Sequence, residues 1–403
     1  MSGGGPIPVT EAREHLLAAV AARSVKHERV ALADAADRIL ARDVESGIAV
    51  PGWDNSAMDG YAVNTADLAA PGESRLPVSQ YVPAGTAPRP LETGTAARIF
   101  TGAPIPRNAD AVVMQENCRE DGDQVIVQKP PEPGNNIRPA GEDIRQGDTI
   151  LSAGARLRPQ DIGLAASVGI AALEVRAPLR VAVVTTGDEL VPPGGSLGPG
   201  QIYDSNGPLL QALLEHIGCQ VIQPGRVADT REATVQALAR AAADADLILT
   251  SGGVSVGEED HVKAAIEEIG SLDLWKIAVK PGKPLAFGRV DDTALVGLPG
   301  NPVSLLVTFL LFAAPVIRRK QGREPEFPQA VTVPSGFERP QAGKREEYLR
   351  VRIRDGRLEA FPRQGSGVLS SAVWGDGLAR VPADTTVSPG DMLEFFSFGD
   401  LTF

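Results

Sequence analysis

Histidine and cysteine are scarce in this chain, with four histidines and two cysteines among 403 residues. Cys118 and Cys219 lie far apart in no metal-ligand spacing. That excludes a zinc cluster and a disulfide framework and fits a reducing cytoplasm. A basic excess is also missing: 51 acidic against 39 basic residues give a net charge of −12. This argues against a broad nucleic-acid or anionic-membrane surface and leaves room for a local basic pocket. The longest apolar run, 303–317, contains Pro315, ends in Arg318-Arg319-Lys320 and falls short of the ~20 residues of a membrane span. A buried helix is expected there, with no membrane insertion. The opening MSGGGPIPVTEAREH lacks the basic and apolar regions of a signal peptide.

What is present is 43% hydrophobic residues, enough for packed cores, punctuated by 43 glycines and 33 prolines. The length suggests about three domains. Residues 10–40 carry helical spacing (Leu16, Leu17, Val20), with a second short helix expected through Ile39. From Val50 to about Gly141 short β-type runs at 97–101, 111–115 and 124–128 alternate with turn signals, as in a compact all-β unit. Residues 143–175 return to helix, clearest at 161–168. From Leu179 strands alternate with helices of ten or more residues, which implies βαβ crossovers and a mainly parallel three-layer α/β domain. After Gly322 short β runs return, as in a small C-terminal β-barrel. The expected division is a discontinuous helical linker domain (1–48 and 142–178), an inserted β domain (49–141), the α/β domain (179–326) and the β-barrel (327–403).

The most informative segment is Leu247 to Lys263, LILTSGGVSVGEEDHVK. A buried-strand pattern ends in Ser-Gly-Gly, passes a Gly/Ser turn and delivers three carboxylates where a helix should begin. In α/β sheets ligands bind beyond the carboxyl ends of the strands, where glycines let backbone amides approach phosphate oxygens. Carboxylates do not touch phosphate directly, so a bridging metal ion follows. Gly253-Val254-Ser255-Val256-Gly257 also matches a hydrolase nucleophile elbow. That chemistry needs a later general-base histidine on its own loop. After Ser255 the sequence has only His261, six residues on and in the expected helix, which argues against an esterase.

Three further strand ends share the theme. Thr185-Thr186-Gly187-Asp188-Glu189 is polar and acidic. Asp229, in Val227-Ala228-Asp229-Thr230, reads equally as a helix N-cap or a site carboxylate. Gly297-Leu298-Pro299-Gly300-Asn301-Pro302 places Asn301 to cap and Pro302 to start a helix, leaving amides and a positive dipole end for an anion. Lys276, Lys280 and Lys283, around a Pro-Gly turn, read as a solvated edge or as a phosphate or oxyanion clamp. If 276–280 is extended, Lys276 and Lys280 share one side. Gly282-Lys283 precedes a proline and is no Walker A loop. A second constellation lies outside the α/β domain: Asp54, Asn55, Ser56 and Asp59 in one turn-rich loop, then Thr101 and Arg138, the latter suited to bidentate oxyanion binding.

Together DNSAMDGYA, FTGAPIP, NIRPAGEDI, TTGDEL, SGGVSVGEEDHVK, KPGKP and LPGNPVS resemble the MoeA/gephyrin E-domain family, the molybdopterin molybdenumtransferases. The resemblance runs over nearly the whole chain and loosens from about Arg339. It implies an elongated homodimer of four-domain subunits that takes adenylylated molybdopterin and molybdate, hydrolyses the bond to AMP with Mg²⁺ and inserts molybdenum into the dithiolene. By resemblance, Asp188, Glu189, Asp229 and Asp260 form the acidic side of the pocket, with Glu189, Asp229 and Asp260 as metal ligands. Lys276 and Lys280 hold molybdate or phosphate oxygens, and Gly252, Gly253, Ser255, Pro299 and Pro302 shape the ligand loop. Asp59, with a catalytic role, and the substrate-binding Thr101 and Arg138 come from the β domain across the dimer, and Ser371 is a looser match. Implied partners are a molybdopterin adenylyltransferase and molybdoenzymes that receive the product. Two alternatives use the same chain. One is tungstate in place of molybdate. The other is a gephyrin-like scaffold binding a partner-protein peptide, for which Val368, Leu369, Val373 and Trp374 offer an apolar surface, although apolar residues scattered in β runs more often pack inward as barrel core.

Overall fold

The computed structural model describes residues 6–20, 26–69, 72–223, 227–252, 261–282, 284–325, 327 and 330–402. The chain forms two compact units, one of Met1–Glu28, Asp37–Ile39 and Val175–Phe403, the other of Arg29–Ala36 and Leu40–Glu174.

The first unit is built on a six-stranded sheet: β1 (Leu179–Thr185), β2 (Cys219–Ile222), β3 (Leu247–Ser251), β4 (Gly270–Lys276), β5 (Pro284–Val290) and β6 (Thr293–Leu298), in the order β2-β1-β3-β6-β5-β4. The first four in that order run parallel, and β5 alone is reversed, antiparallel to both of its neighbours, β6 and β4. The reversal follows from connection length. Helices join the parallel strands, whereas β5 and β6 are joined by the two residues Asp291-Asp292, with Asp291 at φ 50°. Only an antiparallel hairpin closes so tightly.

Every residue of β3 is buried, as a central strand covered on both faces must be. Side chains alternate between two cores, as period-two geometry requires. Val181, Val183, Leu247, Leu249, Val296 and Leu298 enter one core, with helices Val9–Ala19, Asn206–His216 and the 302–320 helix. Ala182, Val184, Ile248 and Leu295 enter the other, with helices Arg231–Asp244 and His261–Ile269. The apolar run after Pro302 is a core helix, Pro302–Lys320, with 89% of its apolar window buried. Its middle turn, Phe309–Ala313, is a π-helix just before Pro315. Proline offers no N–H to the preceding turn and crowds its carbonyl, and a widened turn accommodates both effects.

The C-terminal strands Val331–Pro334, Glu346–Arg354, Arg357–Ala360, Gly377–Val381 and Met392–Ser397 pair antiparallel around a core of their own. A bridge between Ser335 and Leu358 closes the array, giving the expected small barrel. Val279–Lys280 joins its edge, parallel to Glu346 and Glu347.

The second unit carries a six-stranded sheet made of Gly60–Val63, Ser74–Val82, Ala96–Ile99, Ala111–Met114, Cys118–Asp121 and Gln124–Val127. Apolar side chains pack on both of its faces.

Three local expectations differ. No second helix reaches Ile39; the segment holds only the three-residue 3-10 turn Leu32–Asp34. Residues 143–175 contain one helix, Pro159–Ser167, flanked by strands Thr149–Leu151 and Ala172–Arg176. Glycine turns at Gly154 and Gly169, both at positive φ, end helical continuity there. The first helix buries Val9, Ala12 and Leu16 in the core of the α/β sheet rather than with the linker segments.

Phe312 is fully buried in that core. Phe312→Ala is expected to cost about 3–5 kcal/mol in urea unfolding, from lost transfer energy plus a cavity. A loss below 1 kcal/mol would mean the π-turn repacks around the space.

Candidate active site

At the carboxyl ends of β1, β3 and β6 the loops enclose a cavity of about 730 Å³. Its walls come from Thr186 and Glu189 after β1, Ser251 and Gly252 after β3, and Pro299, Gly300 and Asn301 after β6. Lys280, Pro281, Gly282, Ser304 and Arg345 complete it, with Gln364, Gly365 and Ser366 from the C-terminal region.

Asn206 holds the strand ends together. Its buried amide donates to Ser251 Oγ at 2.9 Å and to the Gly300 carbonyl at 2.7 Å. Its Oδ1 is buried without a protein partner. Asp204 caps the helix that carries Asn206, accepting from the amides of Asn206 and Gly207 at 3.0 and 2.9 Å. Gly252, at φ 83°, donates to the Leu298 carbonyl at 3.0 Å, tying the β3 end to the β6 end. Gly282 must lack a side chain, since a Cβ there would lie 2.5 Å from Thr308 Cγ2. The Ser366 carbonyl accepts from Val303 N at 2.9 Å and fixes the 364–366 loop against the start of the core helix.

The cations sit differently from one another. The chain leaves the α/β sheet after Lys276 and enters the barrel sheet at Val279–Lys280, so the two lysines are not on one continuous strand. Lys280 lines the cavity, with Nζ donating to Glu347 at 2.8 Å. Lys276 is exposed at the end of the edge strand and is not in the cavity wall. Arg345, which the motifs did not single out, lines the cavity and donates to the Val279 carbonyl at 3.2 Å.

Among the acids, Glu189 lines the cavity and packs against Gly187, whose missing Cβ leaves room for its carboxylate. Asp188 is exposed beside it. Thr230, not Asp229, is the N-cap of Arg231–Asp244, accepting from Ala233 N at 3.3 Å. Asp229 is half-buried one residue earlier, in the loop after the Thr186–Val227 bridge. Gly253, Ser255 and Asp260 lie outside the described residues. Among those described, no group of three histidine, cysteine or carboxylate side chains gathers as a metal-ligand set.

Pro299 is in the cavity wall and Pro302 begins the core helix next to it. Ser371 is not in the wall. It is fully buried, accepts from Arg350 Nε at 3.1 Å and donates to the Val368 carbonyl at 2.6 Å. Arg350 in turn reaches the Tyr348 carbonyl at 3.2 Å and the Gly365 carbonyl at 3.4 Å. Burial pushes its guanidinium down to about 10, opposed by Glu347. Of the apolar set nearby, Val373 is 85% exposed, while Trp374 packs edge-on against Phe361 and under the Arg352 guanidinium.

In the second unit, Asp59 Oδ1 accepts from the Thr101 amide and hydroxyl, both at 2.8 Å. Those bonds, the amide first, hold its carboxyl below the usual range. Arg138 is exposed on a short strand paired with Asn55. The DNSAMDG loop and the two later motifs therefore meet on one side of this unit.

Fold and cavity define the class first: a multidomain α/β protein with a strand-end pocket that mixes a carboxylate, two cations and glycine-rich loops, as phosphorylated or oxyanionic ligands require. Residues 7–169 match the family described as MoeA N-terminal region (domain I and II). Residues 182–319 match a probable molybdopterin binding domain, and 332–398 the MoeA C-terminal region (domain IV). The chain belongs to the MoeA family. It is 46% identical over 303 residues to the molybdopterin molybdenumtransferase of Haemophilus influenzae, covering 74% of each chain. It is 38% identical over 395 residues to molybdopterin molybdenumtransferase 2 of Mycobacterium tuberculosis, covering 94% of this chain and 96% of the relative. The molybdopterin biosynthesis MoeA protein of Pyrococcus horikoshii OT3 superposes with a TM-score of 0.86 at 28% identity, covering 98% of this chain and all of that one.

Ser371→Ala should leave Arg350 Nε buried without its acceptor and cost about 1–3 kcal/mol of stability by denaturant titration. An unchanged midpoint would show that Arg350 does not depend on this hydroxyl.

Proposed function

We propose that this chain is a molybdopterin molybdenumtransferase that accepts adenylylated molybdopterin and molybdate and releases AMP and molybdenum cofactor. The observation that carries the reading is the pairing of Lys280 and Arg345 in one cavity with Glu189, at the carboxyl ends of parallel strands. Both substrates are polyanions. An acidic protein can concentrate them only where cations line a partly enclosed wall.

Lys280, Arg345, Ser304 and Ser366 supply ammonium, guanidinium and hydroxyl donors from the cavity wall, and form the oxyanion subsite that holds molybdate. The glycine-lined ends of β3 and β6 receive the phosphoanhydride. The carboxylates Asp188, Glu189, Asp229 and Asp260 act on its water side, orienting the nucleophile that cleaves the bond to AMP. Asp59, Thr101 and Arg138 serve the same reaction, and the Thr101 bonds keep Asp59 ionised. Pro299, Pro302, Gly252, Gly253 and Ser255 complete the ligand loops in this reading, and Lys276 is the second lysine for molybdate or phosphate oxygens.

Mg²⁺ fits the donor chemistry. It is a hard cation that takes one or two carboxylates and fills its sphere with substrate phosphates and water, so a three-ligand protein cage is not required. Glu189, with Asp229 and Asp260, would hold it, and it would offset charge on the phosphoanhydride.

The enzyme is proposed to act in the cytoplasm as a homodimer, fed by a molybdopterin adenylyltransferase and discharging to molybdoenzymes. Its chain divides into a linker domain (1–48, 142–178) whose first helix, Val9–Ala19, packs into the α/β core, an inserted β domain (49–141), the catalytic α/β domain (179–326) and the barrel (327–403).

Asp260→Ala is expected to fold normally and to lose AMP release from adenylylated molybdopterin in the presence of molybdate by at least about 100-fold, the scale of a removed acid–base or metal-binding group. Normal turnover would remove Asp260 from the mechanism. Lys276→Ala and Lys280→Met separate the two lysines. Lys280→Met should raise the molybdate concentration needed about tenfold or more, about 1.4 kcal/mol. If Lys276→Ala has the larger effect, the oxyanion subsite lies at the edge strand instead.

A further inference from the structure

Behind the cavity wall sits a carboxylate that no step above uses. Glu347 is 4% exposed. One oxygen accepts from Lys280 Nζ at 2.8 Å, and the other is ion-paired with Arg339. Gly343 lies close on a third side, where a Cβ would stand 3.1 Å from the carboxylate. The buried Arg350 also feels the charge of Glu347. The backbone fixes the pairing as well, because Lys280 and Glu347 are register partners in the parallel bridge between Val279–Lys280 and the barrel strand.

A buried carboxylate costs several kcal/mol to desolvate, and pairing with one lysine rarely repays that in stability. Here Arg339 supplies the compensating charge, which leaves Glu347 free to act on Lys280. Lys280 is the more exposed of the pair, with 47% of its side chain accessible against 5% for Glu347. The arrangement is therefore a cavity cation backed by a buried anion, itself balanced by a second cation further out.

We propose that Glu347 is a positioning residue that fixes the Lys280 ammonium in the cavity wall and attenuates its pull on the bound oxyanion, so that molybdate is captured yet released to the dithiolene. This rests on the reading of Lys280 as an oxyanion ligand. Arg339 is the counterweight: it neutralises part of Glu347 and so sets how much of the Lys280 charge the cavity presents. Both groups act through Lys280.

The charge balance makes predictions of opposite sign, which a merely structural role would not. Molybdate binding is measured by calorimetry on the full chain, with molybdate-dependent AMP release and thermal midpoints in parallel. Glu347→Gln keeps an acceptor for Lys280 and removes the negative charge, so the dissociation constant should fall about tenfold at low salt, as expected for a partly buried charge. The maximal rate should drop with it, because the oxyanion is held too well. Arg339→Gln leaves Glu347 less compensated and should weaken molybdate binding about threefold or more. Both effects should shrink as salt rises toward 0.5 M. Shifts in the same direction, or shifts below about twofold in both variants, overturn the proposal. Should Glu347→Gln fail to fold, Arg339→Gln decides alone, and an unchanged or tightened constant overturns it. Lys280→Met is the control for the underlying reading. If Lys280→Met weakens binding while the other two variants behave as wild type, only the role of Glu347 falls. If Lys280→Met binds molybdate normally, the oxyanion subsite itself is misplaced and the role of Glu347 falls with it.

Discussion

The cavity exists because one buried amide bridges two chain segments that have no covalent reason to meet. Asn206 starts the helix after the long loop that follows β1, yet its Nδ2 binds the last residue of β3 and the loop after β6. Parallel strands deliver their loops to one edge, but pairing fixes only the strands. A bridging side chain turns neighbouring loops into a wall of defined width. A net hydrogen bond is worth about 1 kcal/mol, whereas each buried partner left alone costs about 1–3 kcal/mol. The loops are therefore held mainly by the penalty for parting. Asp204, which caps the same helix, orients the amide one step further back.

Electrostatics in this protein are local rather than global. The chain carries a net charge of −12, and its mean field repels the anions it is inferred to bind. Among the described residues of the cavity wall, two cations, Lys280 and Arg345, stand against one carboxylate, Glu189, and a concave wall focuses their effect. Arg350 shows the cost of placing charge deeper. Burial depresses its affinity for the proton, and Ser371 with two backbone carbonyls is needed to satisfy it. That pairing gives Ser371 a structural part: its hydroxyl holds the arginine that braces the 364–366 loop.

Much of this was legible in the residues. Strand and helix order in the α/β region followed from apolar runs and their lengths, and the strand-end loops were marked by glycine, proline and acidic residues. Elements with weaker periodicity were missed. Residues 35–40 resemble a helix in composition while their backbone groups pair elsewhere, Leu40 N with the Ala155 carbonyl and the Ile39 carbonyl with Arg176 N. The site showed the same division. Lys280 and Pro299 stand in motifs, but Asn206 and Arg345 reach the cavity from ordinary-looking stretches through the tertiary fold. Lys276 illustrates the reverse case. Its spacing from Lys280 suggested a shared face, and only the change of sheet between them separates the two.

That change of sheet has a consequence for how the protein can vary. The residues of Val279–Lys280 belong by sequence to the α/β domain and by hydrogen bonding to the barrel. The last domain is thus no appendage that recombination could exchange freely. A replacement barrel would have to offer an open strand edge in the same direction, with an acid opposite the lysine and a base behind the acid. Surface positions of the barrel can drift, while this one seam ties the history of two domains together.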